Sequence, residues 1–120
     1  MKIIRKDDVP PALGKTFTGH VELQRVLDAQ TPGGMSLNMV HFKNGARTHW
    51  HIHPGEQVLF VVEGQCRMGT ADGEEAVLGP GDIAYAPPGE KHWHGAVAGQ
   101  DMTHLSVTTG GPPEWLTPVE

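Results

Sequence analysis

Long apolar runs are missing from this 120-residue chain, and with them any candidate transmembrane helix. Cysteine is nearly missing too. Cys66 stands alone, so no intrachain disulfide can form, and a reducing cytoplasm is the expected compartment. There is no block of basic residues. Lys and Arg number 9 against 14 Asp and Glu, a net charge of −5 with His neutral. That balance argues against nucleic acid or an anionic membrane as partner. The opening residues, Met1 to Asp8, place charge directly after the apolar pair Ile3-Ile4, so no signal-peptide core is expected. Helical periodicity is scarce as well.

Turn residues and histidines are abundant. The chain holds 16 glycines and 10 prolines, 26 of 120 residues, nearly twice the usual share of about 12%. Between the turns lie short alternating or β-branched runs. Val21 to Leu27 alternates loosely, and Met35 to Phe42 reads as a half-buried strand. Val58 to Val62 is continuously apolar and predicts a fully buried strand, with Phe60 and Leu59 in core or pocket. Gln65 to Ala71 reads as the return strand of a hairpin, and Asp72-Gly73 as a hairpin turn leading to Glu74–Leu78. Ile83–Ala86, His92–Ala98 and Met102–Thr108 complete the strands, and residues 110–120 read as an irregular tail. Many short strands joined by Gly/Pro turns predict a single all-β domain over 1–120, a sandwich or small barrel.

Six of the eight histidines fall within two stretches, 49–53 and 92–104. His51 and His53 are two apart, as are His92 and His94. Alternate residues of a strand share a face, so each pair can aim both imidazoles at one point. Gln57 opens the apolar strand, and His104 lies on the last one. Imidazoles converging from different strands into a barrel mouth form a site for a divalent metal. Trp50 and Trp93 alternate to the opposite face and read as packing residues. Arg47 reads as a salt-bridge partner, and Cys66 as a small buried hydrophobe.

These residues also carry a family resemblance. Gly45-x5-His51-x-His53-x3-Gln57-x6-Gly64, within 45–64, resembles the first motif of the cupins. Gly81-x5-Pro87-x-Gly89-x2-His92, within 81–96, resembles the second. The resemblance implies a double-stranded β-helix, a small jelly-roll barrel. It further implies one divalent ion per chain held by His51, His53, Gln57 and His92. Two positions depart from the cupin pattern. Gln57 stands where Glu is usual, with neighbouring Glu56 or a water as rival fourth ligands, and Ala96 stands where the second motif usually ends in Asn. Neutral Gln57 leaves the ion's charge uncompensated, which strengthens it as a Lewis acid and disfavours an oxidised state.

A narrower resemblance covers Gly45 to Pro54, Pro88 to Ala96 and Met102 to Leu105. These strings are similar to the manganese-dependent cupin hydroxynitrile lyases of bacteria, which also use Gln as a ligand and cleave and form cyanohydrins such as mandelonitrile. His49 replaces a smaller residue of that pattern. The resemblance implies Mn2+ as cofactor, with Fe2+, Ni2+ and Zn2+ open, and a small-molecule substrate. Such a lyase needs an acid and a base, and the candidates are His94, which shares the face of His92, and His104 on the last strand, working near the ordinary imidazole pKa, with Thr48 on the substrate oxygen. The bland alternatives are orientation of a ligand or barrel filling for the two histidines, and turn service for Thr48. A metal-dependent dioxygenase or isomerase and a non-enzymatic binding module are the competing functions. A homodimer or homotetramer is expected, pairing through strand edges, the N-terminal strand and the Trp115 tail.

Overall fold

A computed structural model describes all residues, 1–120, and contains thirteen strands and no helix. In chain order they are β1 (Ala12–Leu13), β2 (Phe17–Thr18), β3 (Val21–Leu27), β4 (Ser36–Phe42), β5 (Arg47–Thr48), β6 (His51–Ile52) and β7 (Gln57–Gly64). There follow β8 (Cys66–Thr70), β9 (Glu75–Leu78), β10 (Ile83–Ala86), β11 (Lys91–Ala96), β12 (Met102–Thr108) and β13 (Glu114–Trp115). All pairings are antiparallel. One sheet runs β1-β3-β4-β12-β7-β10. In the other, β9 pairs β8 and β8 pairs β11. On the far side of β11 lie β5 and β6, two pieces of one strand interrupted at His49-Trp50, flanked in turn by β2 and β13.

The two sheets curl around one interior, and alternation decides what fills it. On β12, Met102, His104, Ser106 and Thr108 face in and are buried. Met102 lies opposite Phe42 and joins Val21, Val40, Val61, Cys66 and Ala96 in an apolar plug. The next inward positions are histidine, serine and threonine, so the barrel changes along one strand from a dry end to a polar end. Burial in the plug pushes the Cys66 thiol up to about 11, which makes it inert at neutral pH.

Several expectations need correction. The run Val58–Val62 is not fully buried. Leu59 and Val61 face in, whereas Phe60 and Val62 are 38% and 44% exposed, because the chain covers only one side of that sheet. Nor do β7 and β8 form a hairpin. The chain leaves one sheet at Gly64 and enters the other, where β8 pairs β11 and β9. Gly64 permits the crossing with φ of +78° and the Asp101 carbonyl packed against its α-carbon, a place no side chain fits. The Asp72-Gly73 turn does join β8 to β9. The tail is not wholly irregular, since β13 pairs with β6 and sets Trp115 opposite His51. Arg47 makes no ion pair. Its guanidinium lies 5.1 Å from the centre of the Trp93 ring, with Arg67 at 5.4 Å, so the pair shields the indole on the outer face. No helix of the protein is long and apolar enough to cross a membrane.

Candidate metal centre

The polar end of the barrel is built by register. His51 on β6 lies directly opposite His92 on β11, and their ring centres are 4.5 Å apart. His53 follows just past β6, at 5.0 Å from the His51 ring and 5.6 Å from that of His92. The nitrogen donors of these three buried histidines fall within 4.8 Å of one another. His51 Nδ1 donates to the carbonyl of His49 at 2.9 Å, which leaves Nε2 with a bare lone pair. Neither ring nitrogen of His53 has a hydrogen-bond partner although both are buried, and His92 Nδ1 makes no hydrogen bond but has the Glu90 carboxylate 3.6 Å away. Orphaned buried nitrogens are costly in a finished core and useful at a metal site. The donor set fits a divalent ion.

Gln57, at the head of β7, is 2% exposed. Its amide nitrogen donates to Ser106 Oγ at 3.0 Å, which turns Oε1 toward His92 Nε2 at 2.9 Å. The amide oxygen therefore faces the cluster and can serve as a fourth donor. Glu56 points the other way. It is exposed and accepts a hydrogen bond from the Tyr85 hydroxyl at 2.6 Å.

His94 and His104 form a second unit deeper in the barrel. His94 Nδ1 and His104 Nε2 are 3.0 Å apart, and both rings pack near Phe42. The outer nitrogens, His94 Nε2 and His104 Nδ1, are buried without partners. Thr48 Oγ1 accepts the backbone N–H of His94 at 3.1 Å, so its acceptor holds β11 in place. Burial dominates the electrostatics. It lowers His51 to about 3 and His53, His92 and His104 to about 4, with His94 also well below the ordinary 6.5. Neighbouring imidazoles push His51, His92 and His94 further down. These histidines are neutral at pH 7, which corrects the expectation of acid–base groups titrating near 6.5.

A cavity of about 820 Å³ opens over this floor, reaching His53, His94 and His104. Phe17, Leu23, Val40 and Trp115 give it apolar wall, while Asn38 and Thr108 are polar. Two features lay outside the sequence reading. Trp115 packs on His51 with ring centres 4.6 Å apart, and Ser106 fixes the orientation of Gln57. Ser106 had a signal, since it alternates with His104. Trp115 had none, because its partner is set by a strand pairing with His51, 64 residues away in sequence.

Comparison with known proteins places this arrangement among relatives. Residues 38–108 match the cupin domain family. An (R)-mandelonitrile lyase of Granulicella tundricola is 38% identical over 103 residues, 83% of this chain and 79% of the relative. A cupin-like protein of Thermotoga maritima superposes with a TM-score of 0.86 at 33% identity, covering 96% of this chain and 92% of that one. A polyketide cyclase of Streptomyces resistomycificus shares the fold, with a TM-score of 0.78 at 24% identity over 100% of this chain and 88% of the other.

Proposed function

The chain belongs to the cupin domain family, and from that premise we propose that it is a divalent-metal-dependent lyase that cleaves and forms cyanohydrins such as mandelonitrile, with Mn2+ as the ion. The match to the (R)-mandelonitrile lyase carries this reading. It leaves out only 17% of the chain, about 20 of 120 residues, so it must contain everything from His51 to His94.

His51, His53, His92 and Gln57 would hold the ion. Bound there, a divalent ion would supply positive charge to a hydroxyl oxygen, raising its acidity and offsetting the negative charge left on it as its proton departs; that charge passes to cyanide when the C–CN bond breaks. The protein's own part is proton handling. Cleavage takes a proton from the hydroxyl, sends the C–CN electron pair to cyanide and returns a proton to that cyanide. The neutral His94–His104 pair suits this. One ring must donate across the 3.0 Å contact and the other accept. The pair then presents one free lone pair and one free N–H, on the two outer nitrogens. A proton accepted at one end and released at the other leaves the dyad neutral with its tautomers exchanged. Both rings line the cavity, where Phe17, Leu23, Val40 and Trp115 suit an aryl group.

Protein prepared with manganese is expected to release equal amounts of benzaldehyde and cyanide from mandelonitrile. Release under none of Mn2+, Fe2+, Ni2+ and Zn2+ would sink the lyase reading and favour oxygen-dependent chemistry or ligand binding. His104→Asn keeps a polar side chain but cannot relay a proton. It is expected to lower kcat by about 10²–10³-fold with bound metal unchanged. An unaltered kcat would reduce the dyad to barrel filling.

A further inference from the structure

The four proposed donors carry no charge. His51, His53, His92 and Gln57, all buried, would meet a divalent ion with neutral nitrogen and amide oxygen only. A buried charge is costly unless it is balanced. One carboxylate comes close. Glu90 Oε1 lies 3.6 Å from His92 Nδ1, and no other histidine of the cluster has a carboxylate within ion-pair distance. Nor does any Lys or Arg pair with Glu90, whose side chain is 30% exposed. The turn before β11 sets its place. Gly89, at φ of +82°, donates its N–H to the carbonyl of His53 at 3.0 Å, and the Glu90 N–H donates to the Pro87 carbonyl at 3.3 Å. The turn is thereby pinned to a residue of the cluster. Glu90 precedes His92 by two, so alternation turns it toward the side of the chain that faces the site.

The protons of His92 show why a carboxylate matters there. The Gln57 amide nitrogen is committed to Ser106, so Oε1 accepts, and its 2.9 Å contact needs a proton on His92 Nε2. That tautomer has no lone pair for an ion on the cluster side. Binding requires the ring proton to be carried at Nδ1 instead, where the Glu90 carboxylate stands. We propose that Glu90 is a positioning residue for the ion: it accepts the Nδ1–H of His92, holds the ring in the tautomer whose Nε2 can bind metal, and supplies a negative charge that the donors lack. The inference rests on the metal centre of the proposed function and not on its substrate. Closing 3.6 Å to the about 2.8 Å of a charge-assisted hydrogen bond takes a small turn of a side chain that nothing else holds. The rival acceptor is the backbone carbonyl of Glu90, two residues before His92, as the carbonyl of His49 is for His51.

Calorimetric titration of Mn2+ into chelator-treated full-length protein tests this. Glu90→Ala is expected to raise Kd by about 10–100-fold while keeping the circular dichroism of wild type. Glu90→Gln keeps the size and an oxygen acceptor but not the charge, and its Kd is expected to fall between the two. Glu56→Gln removes the same charge from an exposed carboxylate that points away from the cluster, and is expected to leave Kd unchanged. In 15N-labelled protein loaded with diamagnetic Zn2+, His92 is expected to show a slowly exchanging Nδ1–H whose resonance moves in both Glu90 variants. Should Glu90→Ala fail to fold, the near-isosteric Glu90→Gln carries both measurements. Wild-type Kd and an unmoved resonance in the Glu90 variants would hand the proton to the backbone carbonyl and overturn the proposal. An equal loss of affinity in Glu56→Gln overturns it too. A wild type that takes up no divalent ion overturns the metal centre itself, and this inference with it.

Discussion

His51→Ala/His92→Ala is expected to lose its bound metal and to show cyanohydrin cleavage no faster than buffer. The two rings are opposite each other across β6 and β11, so one paired rung of the sheet supplies half of the proposed donor set. Removing both leaves His53, just past β6, and Gln57 at the head of β7, which share no rung. Losing a single supporting partner around a metal costs about 10–100-fold in affinity. Losing two donors outright should exceed that by orders of magnitude. The sheet itself should survive, since the β6–β11 pairing is made by the backbone and the apolar plug lies at the other end of the barrel. Metal analysis after gel filtration, beside circular dichroism, gives the readout. One ion per chain in the folded double variant would show that the ion sits elsewhere.

The site was legible where it depends on alternation within one strand. His51 and His53, His92 and His94, and the inward set on β12 follow from period two, and the structure brings the histidines among them to one end of the barrel. Gln57 rather than Glu56 faces in for the same reason. What failed depends on pairing between distant strands. Val58–Val62 looks the same in sequence whether the chain covers both of its faces or only one. The hairpin reading of β7 and β8 failed because a jelly roll sends neighbouring strands to opposite sheets, and nothing local to Gly64-Gln65 says so. The histidine pKa values failed for a related reason. A composition gives the ordinary 6.5, but five imidazoles buried together are a property of the assembled barrel.

That burial has a consequence for the metal-free protein. His51, His92 and His104 have folded pKa values of about 3, 4 and 4, against 6.5 when exposed. Below pH 6.5 the unfolded chain binds protons that the folded chain refuses, so stability falls as pH falls through that window toward 4. At pH 5 each of the three costs about 2 kcal/mol, together on the order of 6 kcal/mol. His53 and His94 act in the same direction. A domain of this size is stable by about 5–15 kcal/mol, so the loss is comparable with the stability itself. Chelator-treated protein is therefore expected to unfold cooperatively between pH 6 and about 4.5, taking up several protons per chain. Bound Mn2+ favours the folded state and is expected to move the transition to lower pH. His51→Ala/His92→Ala lacks two of the refusing rings, and its transition should take up fewer protons and be less steep. Circular dichroism against pH, with and without chelator, measures all three. A metal-free wild type that keeps its native signal at pH 4 would mean that these histidines take up protons without unfolding, and that burial does not hold them neutral in the folded barrel.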